Sequence, residues 1–175
     1  PLDLSELPRN TERGFDDDGV MEVYFTEPGL LPGESAEVEL DDALSALIDA
    51  STTTLDMCLY EFKLPQVIDA ALAAHDRGVA VRFVGDGDES EDSGYLALEA
   101  AGVEIVSRPP RDRIMHNKFV VADGQAIWSG STNVTDNGLF RNNNNAVIIE
   151  SAAMADEYTR EFEQMFVGAE FGRKK

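Results

Sequence analysis

Residues 116–133 read His-Asn-Lys-Phe-Val-Val-Ala-Asp-Gly-Gln-Ala-Ile-Trp-Ser-Gly-Ser-Thr-Asn, and this stretch carries the strongest structural signal in the chain. Its two apolar runs predict two buried strands, Met115 to Ala122 and Gln125 to Ser129. The dipeptide Asp123-Gly124 between them is typical of a two-residue hairpin turn. The stretch therefore predicts a β-hairpin.

On both sides of this hairpin, the pattern alternates between strands and helices. We expect strands at 20–26, 55–62, 79–84, 103–107 and 146–149, and helices at 40–50, 64–77, 95–101 and 152–166. Strands interleaved with helices and followed by a hairpin predict an α/β fold, an α/β/α sandwich around a mixed, mostly parallel sheet. We expect one domain over residues 20–167, with a flexible acidic arm at 1–19 and a tail or linker at 168–175.

The composition excludes several classes of protein. The chain has 175 residues, a length that suits one domain, and its single cysteine excludes a disulfide framework and any multi-cysteine metal site. No apolar run approaches the length of a membrane span, so we expect a soluble domain. Fourteen Lys and Arg against 34 Asp and Glu give a net charge of −20, which opposes non-specific binding to nucleic acid.

The acidic residues are unevenly distributed. One run is Asp16 to Asp18, and another lies within residues 86–92; we expect both to be solvated loops. The second run lacks the glycine and the final glutamate of a calcium-binding loop at the required spacing, so we expect no calcium site there. The chain starts at Pro1 rather than Met, and its compartment stays open: a removed leader would make the protein secreted or periplasmic.

His116 and Lys118 are the candidates for chemistry. Side chains two residues apart on a strand point to the same side, so the two groups should lie together. Two neighbouring cationic groups in such an acidic chain are costly without a function, although a polar strand edge would also explain them. The other histidine, His75, is expected on a helix surface.

The spacing around these two residues is specific. It reads His-x-Lys-x4-Asp-x6-Gly-Ser-x-Asn over His116, Lys118, Asp123, Gly130-Ser131 and Asn133. This pattern resembles the motif of the phospholipase D superfamily at every fixed position, and the resemblance extends over most of the chain, from about residue 20 to 166. It implies a phosphodiesterase.

The resemblance assigns a role to each motif residue. His116 would attack phosphorus and form a phospho-histidine intermediate, and Lys118, Ser131 and Asn133 would bind the phosphoryl oxygens. Asp123 belongs to the same catalytic group, but its place at the turn suggests that it holds the turn or the geometry of the histidine and lysine. No cofactor and no metal are expected.

One position departs from the family pattern. Small single-motif members carry Asn-x-Glu-Asn before the next strand, and that glutamate orients the nucleophilic imidazole. Here the stretch is Asn142 to Asn145, so Asn144 is the candidate for the orienting role, and an amide cannot stabilise an imidazolium as a carboxylate does. Glu61 and Arg141 are weaker site candidates.

The substrate stays open between lipid and nucleic acid. We favour phospholipid or another phosphodiester because the net charge opposes duplex binding, and the segment Pro28 to Pro32 with its two leucines is the one apolar docking feature. One alternative is a metal-independent endonuclease on DNA or RNA, and the other is a catalytically weakened binding domain. The endonuclease would have a basic mouth lined by Arg108, Arg111, Arg113, Lys118 and Arg141.

The mechanism needs two histidines at one phosphorus, and this chain has one motif. A symmetric homodimer would supply the second histidine, and so would pairing with a second phospholipase D-like half of a tandem protein. We favour the homodimer.

Overall fold

A computed structural model describes residues 14–16, 19–28, 40–110 and 113–172. Eight strands form one sheet in the order β1-β2-β8-β7-β6-β3-β4-β5. The strands are β1 Gly14–Asp16, β2 Gly19–Phe25, β3 Thr54–Leu59, β4 Ala80–Asp86, β5 Glu104–Arg108, β6 Lys118–Ala122, β7 Ala126–Gly130 and β8 Asn145–Glu150. The helices are α1 Leu40–Ala50, α2 Pro65–Asp76, α3 Ser93–Ala100 and α4 Ala152–Phe166.

The sheet is mixed, as predicted, but it is not mostly parallel. Only β3–β4 and β4–β5 pair in parallel. The pairs β1–β2, β2–β8, β8–β7, β7–β6 and β6–β3 are antiparallel. The prediction of a mostly parallel sheet was wrong because the helical crossovers serve only three of the eight strands, and hairpins and returning segments join the rest.

Helices cover both faces of the sheet, so the predicted α/β/α sandwich is confirmed. On one face, α1, α2 and α3 bury an apolar cluster that includes Leu44, Phe83 and Trp128. On the other face, α4 packs Phe162 and Met165 against Phe119 of β6 and its neighbours. The apolar residues of α4 recur at helical spacing, and the hydroxyl of Ser151 caps the helix by accepting a hydrogen bond from the N–H of Met154.

The hairpin is confirmed, but its boundaries differ from the prediction. Strand β7 is Ala126–Gly130 rather than Gln125 to Ser129, and Ala122 pairs with Ala126, so three residues rather than two separate the paired ends. Strand β6 begins at Lys118 rather than Met115, so His116 and Asn117 precede the strand. At the turn, Asp123 and Gly124 both have positive φ angles, 53° and 61°, which the predicted turn type requires.

The acidic run at residues 86–92 is not uniformly solvated. Asp86 ends β4 and is completely buried, and Asp92 is also buried, so the expectation of a solvated loop was wrong for both. Asp86 forms a buried ion pair with Arg108, with Nε 2.9 Å from Oδ2. Arg108 is therefore a structural residue and not part of a basic mouth.

Several predictions made from the sequence concern residues outside the ranges that the structure describes. Strand β1 lies within the predicted arm of residues 1–19, and most of that arm is outside the described residues. The same holds for residues 29–32 of the proposed apolar segment, for Arg111 and for the last three residues of the tail. No helix in the described ranges is long and apolar enough to cross a membrane.

One edge of the sheet brings four strands together at the motif. Strand β3 ends there and β6 begins there, because Leu59 pairs with Lys118. Strand β7 ends there and β8 begins there, because Gly130 pairs with Ala146. The polar ends of the predicted hairpin therefore lie beside Tyr60 and Glu61, which follow β3.

Candidate active site

His116 is held in place by its neighbour in the chain. Met115 is buried, and its backbone N–H donates a hydrogen bond to Oδ2 of Asp86 over 2.5 Å. The same carboxylate accepts two hydrogen bonds from Arg108, one from Nε to Oδ2 and one from Nη2 to Oδ1. Although burial alone would raise the pKa of Asp86, these hydrogen bonds lower it, so the carboxylate stays ionised. The buried ion pair thus anchors the segment that presents His116 to solvent.

Tyr60 packs against both motif residues. Its ring meets the imidazole of His116 edge-on, with ring centroids 5.0 Å apart. The ammonium of Lys118 lies 5.2 Å from the centroid of the same ring. Burial, followed by the nearby Glu89, raises the pKa of Tyr60 to about 12. Tyr60 is therefore a neutral wall that fixes the imidazole and stabilises the lysine charge.

Lys118 is a buried lysine. Its Nζ donates a hydrogen bond to the carbonyl oxygen of His116 over 2.8 Å, and 6% of the residue is exposed. Burial lowers the pKa of Lys118 to about 8, against the opposing charge of Glu61. A desolvated ammonium with few protein partners is suited to binding a phosphoryl oxygen.

The imidazole of His116 is tuned towards its neutral form. Desolvation and the charge of Lys118 lower the pKa of His116 below its usual value of 6.5, and Glu61 acts in the opposite direction. A neutral imidazole has a free lone pair and can act as a nucleophile at neutral pH. The predicted pairing of His116 with Lys118 is thus present in the structure, with Glu61 as a third member.

Gly130 and Ser131 follow β7 at the same edge. A Cβ at position 130 would collide with the carbonyl oxygen of Asn145, so only glycine permits this approach of β7 to β8. The hydroxyl of Ser131 donates to Oδ1 of Asn144 over 3.0 Å and accepts the N–H of Asn145. Ser131 is therefore rigidly placed.

Asn144 does not orient His116. Its Oδ1 accepts from Ser131, and its Nδ2 donates to the carbonyl oxygen of Gly138 over 2.8 Å. Its backbone N–H is bound by the hydroxyl of Thr26. Among the described residues, the amide of Asn144 bonds to Ser131 and Gly138, and it forms no hydrogen bond with the imidazole of His116.

Glu61 is bound directly to the motif. Its Oε2 accepts a short hydrogen bond from Nδ2 of Asn133, and its Oε1 lies 3.0 Å from Nζ of Lys63. An open groove of about 710 Å³ runs along these groups, and Ser131, Asn144 and Arg141 also line it. The two weaker sequence candidates, Glu61 and Arg141, therefore lie in the same groove as the motif asparagine.

A second groove has a volume of about 420 Å³. His116, Lys118 and Gly130 line it, and helix α4 contributes Glu157, Tyr158 and Glu161. The structure therefore places His116 and Lys118 in one groove, and Ser131 and Asn133 in the other. Gly130 and Ser131, which are adjacent in the chain, connect the two.

Two residues lie away from the site. Asp123 is at the opposite end of β6, where its carboxylate accepts hydrogen bonds from the backbone N–H groups of Thr52, Thr53 and Thr54. Its inclusion in the catalytic group is corrected: it joins the hairpin turn to the start of β3. His75 is near the end of α2, with Nε2 3.1 Å from the carbonyl oxygen of Ala101, and it does not face the motif.

Sequence reasoning missed Tyr60 and Asp86. Tyr60 directly follows the apolar strand β3, and nothing in the local sequence pattern indicates that this strand pairs with β6. Asp86 belongs to an acidic run that is typical of a loop. The chain does contain one indication of their roles, because a lysine and an arginine in buried strands both need partners. Among the described residues, no cluster of three metal-ligating side chains occurs.

Comparisons with known proteins agree with this geometry. The sequence profile of the family described as "Cardiolipin synthase, PLD-like domain" matches residues 44–166. The mitochondrial cardiolipin hydrolase of Mus musculus is 32% identical over 156 residues, which are 83% of this chain and 69% of that protein. The human protein of the same name is 38% identical over 141 residues, or 79% of this chain and 52% of that protein.

Solved structures share the fold. The phospholipase D family member Nuc from Salmonella typhimurium superposes with a TM-score of 0.71 at 24% identity, covering 90% of this chain and 99% of that one. NucT from Helicobacter pylori superposes with a TM-score of 0.65 at 14% identity, covering 87% and 99%.

Proposed function

The chain belongs to the phospholipase D superfamily, and on that premise we propose that it hydrolyses phosphodiesters with His116 as the nucleophile. The observation that carries the proposal is the pairing of an accessible, neutral imidazole with the buried ammonium of Lys118. The imidazole supplies the lone pair, and the ammonium supplies fixed positive charge for the phosphoryl oxygens.

The reaction has two steps. In the first, an imidazole nitrogen of His116 forms a bond to phosphorus while the bond to the leaving oxygen breaks, and a protonated second imidazole gives its proton to that oxygen. In the second, the now neutral second imidazole takes a proton from water, the water oxygen bonds to phosphorus, and the bond between phosphorus and nitrogen breaks. Lys118, Ser131 and Asn133 are the groups we assign to the phosphoryl oxygens.

The second imidazole must come from another motif. The chain has two histidines, and His75 lies near the carbonyl of Ala101 rather than the motif. We therefore assign the proton donor to His116 of a second copy, related by a two-fold axis, since a symmetric dimer needs no new sequence. The same requirement would be met by a second half of a tandem protein.

Phospholipid is the substrate class we favour. Two relatives above 30% identity carry the name cardiolipin hydrolase. The net charge of −20 opposes non-specific binding of a polyanion, and Arg108, which could have lined a basic mouth, is buried against Asp86. Arg113 and Arg141 are exposed and leave a smaller local positive charge near the site.

Direct turnover tests both the reaction and the substrate. Purified protein is incubated in EDTA with vesicles containing cardiolipin and, separately, with single- and double-stranded DNA. We expect release of phosphatidic acid by the wild-type protein and none by His116→Ala, together with an acid-labile phospho-histidine in the wild type. DNA cleavage with inert vesicles would replace the substrate class by nucleic acid, and loss of activity in EDTA would overturn the metal-free mechanism.

A further inference from the structure

Glu61 lies outside the motif, but it forms a direct hydrogen bond with the motif residue Asn133. Building on the proposed function, we infer that Glu61 is a positioning residue, which aims the amide of Asn133 and supplies the negative charge that Asn144 cannot supply to the imidazole. It lies on the β3 side of the site, across the groove from the asparagine run.

The first argument is the contact with the motif. Oε2 of Glu61 accepts one N–H of Asn133 in a short hydrogen bond. An amide nitrogen has two such donors, so the other stays available for a phosphoryl oxygen. The contact also sets the orientation of the Asn133 amide. Its NH2 group must point towards Glu61, because its oxygen would be repelled by the carboxylate. The side chain of Asn133 is therefore oriented before substrate binds.

The second argument is that Glu61 is itself held. Its Oε1 binds Nζ of Lys63 over 3.0 Å, and that ammonium also lies 3.2 Å from the buried Asp92. Oδ2 of Asp92 accepts the backbone N–H of Phe62, the residue between Glu61 and Lys63. The chain of contacts from Asp92 through Lys63 and Glu61 to Asn133 joins the structural loop after β4 to the phosphate-binding groups.

The third argument is electrostatic. Tyr60 packs on the ring of His116, Lys118 donates to its carbonyl oxygen, and Glu157 and Glu161 of α4 line the same groove. Glu61 lines the neighbouring groove and acts on His116 and Lys118 through its charge. Of these carboxylates, Glu61 is the one that acts on both His116 and Lys118, and it raises the pKa of each. The amide of Asn144, which accepts from Ser131 and donates to Gly138, is neutral and supplies no negative charge to the imidazole. Glu61 therefore opposes the lowering of the His116 pKa by Lys118, and it keeps the donor imidazole protonated over a wider pH range.

The test is the charge-neutral variant Glu61→Gln. NMR titration of the protein without substrate should show the pKa of His116 falling by about half a pH unit or more. In vesicle assays, kcat should fall on the order of tenfold, and the alkaline limb of the pH profile should move to lower pH. Glu163→Gln is the matched control, because Glu163 is also held by a basic side chain, with Oε1 2.8 Å from Nη2 of Arg82, but lines neither groove; it should leave the pKa of His116 unchanged.

A second variant makes the charge requirement specific. Glu61→Gln combined with Asn144→Glu returns one carboxylate to the site from the opposite wall, and it should bring the alkaline limb back towards its wild-type position. If Glu61→Gln instead raises activity, Glu61 competes with phosphate for Asn133 and the inference is overturned. An unchanged pKa of His116 overturns it as well. The titration needs no turnover, so it decides the inference even if the wild-type protein hydrolyses no lipid.

Discussion

At the scale of single residues, Lys118 shows how function opposes stability. Its pKa is lowered to about 8 by burial, whereas the unfolded chain keeps the usual value of 10.5. Between these values the unfolded state binds more protons, so stability rises with pH across that window, and below pH 8 the buried charge destabilises the fold by a constant amount. The site accepts this cost because a desolvated ammonium binds a phosphoryl oxygen more strongly than a hydrated one.

Lys118→Met is therefore expected to stabilise the protein while abolishing turnover. At pH 7 the free energy of unfolding should rise by about 1–2 kcal/mol, because a methionine of similar length removes the charge and keeps the packing. At pH 10 the gain should largely disappear, since the wild-type lysine is then neutral. Urea unfolding at both pH values measures this, and a variant less stable than wild type at pH 7 contradicts it.

The pH dependence of activity follows from the same two residues. One imidazole must be neutral and one protonated, and the pKa of His116 is lowered below 6.5, so kcat/KM should be maximal on the acidic side of that value. As pH rises, the donor imidazolium deprotonates first. Above about pH 8, the value of the Lys118 pKa, the ammonium is lost as well.

On a logarithmic plot, the alkaline decline should therefore steepen from a slope of about −1 to about −2. Initial rates on vesicles between about pH 4.5 and about pH 9.5, a range that includes the optimum and extends beyond the Lys118 pKa of about 8, measure the profile. A plateau that extends beyond pH 8 would show that neither group acts in the assigned protonation state.

His116, Lys118, Ser131 and Asn133 could be placed near one another from the sequence, because they lie at the ends of a predicted hairpin and match the motif that the chain resembles. Their catalytic roles stay predictions, and the residues around them were harder to identify. Tyr60 and Glu61 could not be given their roles, since these depend on the pairing of Leu59 with Lys118. That register joins segments almost sixty residues apart, and no local pattern specifies it. Asn144 was misjudged because its partners, Ser131 and Gly138, come from two different segments.

At the scale of elements, Asp123 joins the turn between β6 and β7 to the segment before β3. Burial alone would raise the pKa of this carboxyl, but the backbone N–H groups of Thr54 and Thr53 and two threonine hydroxyls lower it to about 2. Because the folded value lies below the unfolded value of 3.8, the stabilisation is present above about pH 4 and is lost as the pH falls towards 2.

Asp123→Asn should lower the free energy of unfolding by about 1–2 kcal/mol at pH 7, because an amide replaces one acceptor oxygen by a donor. Asparagine tolerates the positive φ angle of 53° at this position, so the change isolates the hydrogen bonds. The difference from wild type should shrink between pH 4 and pH 2, and kcat per folded molecule should stay unchanged. A selective loss of kcat at full stability would return Asp123 to the catalytic group.

The type and order of the elements could be predicted because their apolar periods are regular, but the sheet direction could not. Local pattern shows that α2 and α3 connect strands, and such crossovers give parallel pairs, as in β3–β4 and β4–β5. It does not show that β2 pairs with β8, more than a hundred residues away, in the antiparallel sense. Buried ion pairs cannot be predicted from local pattern either. The sequence around Asp86 is typical of a loop, and its pairing with Arg108 follows from the parallel register of β4 and β5.

At the scale of the whole molecule, the net charge of −20 opposes dimerisation. Two copies that each carry −20 repel one another, so a dimer must form where local charge and apolar contacts permit. We assign the contact to the motif edge, because it carries Lys118 and Arg141, and because Arg108 and Lys63 pair with Asp86, Glu61 and Asp92 there. Glu157 and Glu161 of α4 add negative charge to the same edge, so the repulsion is reduced there but not removed. Added salt should screen the repulsion and strengthen dimerisation, which sedimentation at several salt concentrations can measure.

The requirement for two histidines makes the last prediction quantitative. His116 is exposed, so His116→Ala should fold and pair like the wild-type chain. If each site uses one His116 from each copy, a mixed dimer has no complete pair, and only wild-type dimers are active. When subunits are exchanged at fixed total protein, activity should therefore fall as the square of the wild-type fraction: an equal mixture should retain about a quarter of the activity rather than a half. Glu163→Gln, a variant of a carboxylate that lines neither groove, should cause no such loss when mixed in the same way. A linear decline with the wild-type fraction would mean that one chain carries a complete site, and the shared-site arrangement would be abandoned.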